Sequence, residues 1–176
     1  ANATATYGHI REWNTSSVTN MSNAFKDRAT FNEDISGWDM SEVNNASRMF
    51  YGASSFNQPI GNWNLSSATI LWGLFQDASS FNQPIGDWNV SSVTGMANMF
   101  KGAHAFDQNI ESWDVSKVIT MVNFLNGALT FKHSIEDWSV SSVTDMRFML
   151  DNTALSDANK GKIHTSFSTN PNWPYD

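Results

Sequence analysis

With 176 residues, 40% hydrophobic and 13% aromatic, the chain has the material for one packed domain and is too apolar for a disordered segment. Its 17 acidic and 10 basic residues give a net charge of −7 and a pI near 4.9, which argues against nucleic acid or anionic lipid as a partner. The absence of cysteine excludes disulfides, thiolate catalysis and cysteine-ligated zinc.

No apolar run approaches the roughly 20 residues of a membrane-spanning helix, so no membrane insertion is expected, and no signal peptide is visible. A start at Ala1 rather than Met reads as a processed product or an excised fragment. Residues 1–8 read as a partial N-terminal cap.

From there the chain is periodic. The phrase FNQPIGNWN at 56–64 returns as FNQPIGDWN at 81–89, 25 residues on. Trp13, Trp38, Trp63, Trp88, Trp113 and Trp138 mark six copies with every gap equal to 25, and only Trp72 and Trp173 lie outside the series. Three residues before each of the six stands Ile, and three after stands Ser. Val or Ala follows at five, Met, Ala or Leu at eight, and Phe or Leu at twelve. Phe31, Phe56, Phe81, Phe106 and Phe131 stand seven before. A period of this length without insertions reads as stacked coils held in register by hydrogen bonds between neighbours.

Within each coil, Ile-x-x-Trp-x-Val predicts a short strand, since Trp and the residue two on share a face. Thr19, Asn44, Thr94 and Thr144 stand where an N-cap belongs, ahead of Met-x-x-x-Phe at helical spacing. Gly52, Gly102 and Gly127 follow as a helix stop. The expected fold class is an α/β repeat solenoid spanning 1–150. Its six coils each carry one short parallel strand and one short helix. After Leu150 the period ends, and 151–176 read as a C-terminal cap with a helix starting at Ser156 and an extended close around Trp173.

The frame F-N-x-P-I-x-x-W-x-V-S-S-V-T-x-M-x-x-M-F-x-x-A, best matched at 81–103, resembles the 25–26-residue bacterial surface-protein repeat over about residues 7–150. Such repeats occur in Listeria- and Mycoplasma-type surface lipoproteins and are placed with the BspA-like leucine-rich repeats. The resemblance implies a right-handed, leucine-rich-repeat-like solenoid on a surface or secreted protein. It brings no shared catalytic residue.

Residues of equal phase in adjacent coils become neighbours, so sites can be sought by arithmetic. The four histidines share no phase; His9 falls one coil from Asp34, a possible hydrogen-bonded pair at the edge. No acid, base and nucleophile converge, so no enzyme and no cofactor are expected. Glu111 and Glu136 share a phase, with Asp137 beside them, and form a weak calcium candidate against the plainer reading of a solvated acidic edge.

After the frame Phe stand Asn32, Asn57 and Asn82, then Asp107 and Lys132. These predict an amide ladder that satisfies backbone groups and ends in an ion pair. The Trp column reads as core, the alternative being an exposed sugar-binding ladder. Trp72 reads as exposed.

With Trp inward, its two neighbours point out. Glu12, Asn14, Asp39, Asn62, Asn64, Asp87, Asn89, Asp114 and Asp137 in these columns are the candidate partner-binding residues. The expected function is a recognition or adhesion module of a surface or secreted protein, binding a protein or glycan along the strand face. An alternative is a scaffold subunit that docks through an apolar patch around Trp72, Leu71 or Phe124. Ice binding is a minor alternative, since the outward columns mix Asn, Asp, Gly, Ser and Glu and lack a regular lattice. Sequons at Asn2, Asn14, Asn20, Asn45, Asn64 and Asn89 matter only on a eukaryotic secretory route.

Overall fold

The computed structural model describes residues 7–175. Residues 1–6 of the expected N-terminal cap, with the Asn2 sequon, lie outside the described residues. The coils stack at the 25-residue period, and the predicted strand and helix in each coil do not form. Among the described residues, regular structure is limited to one 3₁₀ turn, Ile10–Glu12, and one α-helix, α1, Asp157–Phe167. Strand pairing reduces to isolated parallel bridges running Asn20–Asn45–Ile70–Gly95–Thr120–Asp145. This overturns the right-handed, leucine-rich-repeat-like α/β solenoid.

The predicted strand is bent by two tight turns. Trp88 N–H donates to the Ile85 carbonyl at 3.1 Å, and Val93 N–H donates to the Val90 carbonyl at 2.9 Å. The same pair recurs at Trp63 and Ala68 and at Trp113 and Val118. The cause stands between Ile and Trp, where Gly61-Asn62, Gly86-Asp87 and Ser36-Gly37 are turn dipeptides. Inward side chains therefore come mostly three apart, at Ile85, Trp88, Val90, Val93 and Met96, all buried.

The predicted helix is a ribbon of overlapping turns. In the fourth coil Met99, Lys101 and Ala103 each donate N–H to the carbonyl three residues back. The tenth and fourteenth residues after Trp lie in the left-handed region. At the tenth these are Asn23, Arg48, Gly73, Asn98, Asn123 and Phe148; at the fourteenth, Asp27, Gly52, Asp77, Gly102, Gly127 and Asn152. Two such residues four apart leave no room for a right-handed helix, and Gly, Asn and Asp are the residues that accept the conformation most readily. The glycines read as helix stops are thus turn residues. Likewise Thr19, Asn44, Thr94 and Thr144 cap no helix; the Thr94 and Thr144 hydroxyls, like that of Thr69, donate to the carbonyl of equal phase in the preceding coil.

The ribbon holds the coils together. Met96, Asn98, Phe100 and Gly102 donate N–H to Thr120, Val122, Phe124 and Asn126 of the next coil, at 2.8–3.2 Å. Alternate amides thus close turns within a coil or reach its neighbour, so little backbone is left unsatisfied without a sheet.

Side chains fill the axis as ladders. Trp63, Trp88, Trp113 and Trp138 stack at 6.4–6.5 Å between centroids, within 8° of parallel. Each indole N–H reaches back to an Ile carbonyl of the preceding coil, as Trp88 does to Ile60 at 3.1 Å. Phe56, Phe81, Phe106 and Phe131 form a second ladder at 6.1–6.2 Å.

At the far end α1 begins with Ser156, whose hydroxyl accepts from Asn159 N–H, and buries Ile163 and Phe167. Beyond it, Asn170 donates both to Val140 and to Val143 carbonyls of the last coil. Tyr175 donates its hydroxyl to Asp151 at 2.7 Å and accepts from Leu150 N–H. Burial, with the Asp151 carboxylate beside it, pushes that phenol well above the ordinary tyrosine range.

Candidate functional site

The edge formed by the two turns around each Trp carries the candidate strip, and all nine candidate partner-binding residues are exposed. The residue after Trp sits between the turns, and its side chain caps the second one. Asn14, Asp39, Asn64, Asn89 and Asp114 each accept the backbone N–H two residues on, from Ser16, Ser41, Ser66, Ser91 and Ser116, at 2.9–3.1 Å. These are Asx turns, which accounts for Asn or Asp at this position in the first five coils; the sixth has Ser139. Hydrogen bonds from the Ser41 hydroxyl and N–H hold the Asp39 carboxyl below the usual aspartate range. Ser116 does the same for Asp114. This column is part of the scaffold as well as the surface.

The residue before Trp is placed differently. Asn62, Asp87 and Asp137 stand at the outer corner of the first turn, and Asp87 and Asp137 make no side-chain hydrogen bond or ion pair among the described residues. Among the described residues Glu12 pairs only with Arg11, at 3.8 Å, with both side chains more than 60% exposed. From two residues before Trp to four after, the six coils carry Glu12, Asp39, Glu42, Asp87, Glu111, Asp114, Glu136 and Asp137 against Arg11 and Lys117. The ribbon side carries Lys26, Arg28, Arg48, Lys101 and Arg147 together with Asp27, Asp77, Asp145 and Asp151. The stack therefore has one acidic edge and one mixed face.

The calcium candidate is arranged otherwise than spacing suggested. Glu136 receives the Lys162 ammonium of α1 at 3.0 Å. Among the described residues no three side chains of metal-ligating type come together. Asp34 turns to the Ser36 N–H and hydroxyl, which lower its pKa, rather than to His9.

The amide ladder is present. Asn32 Oδ1 accepts from Asn57 N–H, Asn57 from Asn82, and Asn82 from Asp107, each at 2.9 Å. Gln58, Gln83 and Gln108 donate alongside to the carbonyls of Asn32, Asn57 and Asn82. The run ends in the Asp107–Lys132 ion pair, with His133 Nε2 3.2 Å from the second Asp107 oxygen. The glutamine half of this ladder was missed by residue spacing, although FNQ repeats in the frame.

Trp38, Trp63, Trp88, Trp113 and Trp138 are buried, which leaves no aromatic platform along the column. Trp13 on the first coil is 43% exposed. Of the three residues considered for an apolar docking patch, Leu71 and Phe124 are buried and only Trp72 is exposed.

Residues 1–83 and 60–165 match the family described as Mycoplasma protein of unknown function, DUF285. The two matches overlap and together span most of the chain, and the chain belongs to this family of repeat-type proteins. No curated protein and no solved structure matches it.

Proposed function

We propose that the chain is a non-enzymatic recognition module of a surface or secreted protein, and that its acidic edge binds a cationic protein segment. The observation behind this reading is the excess of outward carboxylates along this edge, with Asp87 and Asp137 at turn corners before Trp unengaged among the described residues. An edge with a strong excess of one sign of charge steers and orients a partner of the opposite sign. Placement among BspA-like surface repeats belongs to the same proposal and rests on the frame residues.

The test uses a lysine-rich peptide and a variant changed only at the corners, Glu12→Ser, Asp87→Ser and Asp137→Ser. Salt-sensitive binding should be lost in the variant while its melting temperature is unchanged. Equal binding by both proteins rejects the acidic edge as the contact face.

A further inference from the structure

Seven of the eight tryptophans donate their indole N–H to an acceptor inside the chain: Trp13, Trp38, Trp63, Trp88, Trp113, Trp138 and Trp173. Trp72 has no such acceptor among the described residues and is 50% exposed. It stands on the ribbon side, away from the acidic edge.

Its position is built. The bridge column reads Asn20, Asn45, Ile70, Gly95, Thr120, Asp145, and the one glycine falls beside Trp72. A Cβ at Gly95 would lie 2.3 Å from Trp72 Nε1 and 2.9 Å from Cδ1, so the indole is seated where every other coil places a side chain. Gly95 is buried beneath it.

Around the ring, Arg48, Gln76, Asn98 and Thr120 line one shallow depression with Gly73 and Ala97. Asn98 Oδ1 already accepts from Asn123, and the Asn98 amide N–H groups have no acceptor among the described residues. The residues that line the depression beside the half-open indole thus carry a guanidinium, two amides and a hydroxyl. Protein docking draws on a contiguous apolar patch, which small Gly73 and Ala97 do not supply. An aromatic face with a rim of mixed donors and acceptors suits a pyranose ring, whose C–H face stacks while its hydroxyls bond outward.

We propose that Trp72 is the platform of a saccharide-binding site, with Arg48, Gln76 and Asn98 as its polar rim. The site is separate from the acidic edge and does not depend on it. Gly95 is a positioning residue, acting through the indole it seats.

The experiment titrates a panel of soluble hexose and N-acetylhexosamine oligosaccharides into isotopically labelled protein. The indole N–H signal missing from Trp72→Phe identifies Trp72. A saccharide of the panel should shift that signal, and its affinity should fall about tenfold in Trp72→Ala, with a smaller fall in Gln76→Ala. Gly95→Ala should displace the indole and weaken binding at an unchanged melting temperature, whereas Trp13→Ala should bind normally. The lysine-rich peptide should leave the Trp72 signal in place, so the two proposals fail independently. The site is overturned if no saccharide moves the signal, if Trp72→Ala binds as the parent does, or if only peptides bind there.

Discussion

The indole N–H of Trp88 donates to the carbonyl of Ile60, 3.1 Å away in the preceding coil, and both residues are buried. One side chain thus fills the axis, stacks on its equivalents and closes a backbone group of the neighbouring coil. Trp88→Phe should keep the stack yet leave the Ile60 carbonyl without its donor, at a cost of about 1–3 kcal/mol. Trp88→Ala should cost about 3–5 kcal/mol, because it adds a cavity. Urea unfolding of both variants measures the difference.

The Asx turns make stability fall in acid. Asp39 and Asp114 titrate below the ordinary aspartate value because Ser41 and Ser116 donate to the ionised form. A lowered folded-state pKa gives stability that is complete above the unfolded value, about 3.9, and is lost as pH drops through the folded one. Asp39→Asn and Asp114→Asn keep the acceptor oxygen that Asn64 and Asn89 use. The double variant should therefore match the parent at neutral pH and lose less as pH falls below about 4. Thermal melts across that range decide it.

Left-handed positions predict substitutions of opposite sign. Gly102 has φ +69°, and a Cβ there would stand 2.3 Å from Asp77 Oδ1. Gly102→Ala should destabilise by about 1–2 kcal/mol. Phe148 holds φ 61° with its ring 54% exposed, at a position that is Asn in three other coils. Phe148→Asn should stabilise by about 0.5–1 kcal/mol. Denaturant midpoints give both signs.

Closure of the last coil depends on Asn170, buried and donating to Val140 at 2.7 Å and Val143 at 2.9 Å. Asn170→Ala strips two carbonyls of their donor and should cost about 2 kcal/mol. Hydrogen exchange in 140–143 should rise with it.

The period, the inward Trp column and the amide ladder were legible because each repeats a residue type at one phase, and stacking turns phase into contact. The local conformation was misread for a definable reason. Met96 and Phe100 stand at helical spacing, but Asn98 between them and Gly102 beyond adopt positive φ. Ile85 and Trp88 bracket Gly86-Asp87, a turn dipeptide whose weight exceeds that of alternation two residues on. Apolar spacing tells which side chains face the axis and does not choose between a helix and consecutive turns. The residues of the strip are exposed, but spacing alone could not separate Asp39, which caps a turn, from Asp87, which does not.

The central claim is that each coil is built of turns, and residue-by-residue carbon chemical shifts test it most directly. Sustained helical shifts should be confined to Asp157–Phe167, with left-handed values at Asn98 and Asn123. Continuous helical shifts over 94–101 together with strand shifts over 85–90, repeated in neighbouring coils, would contradict it.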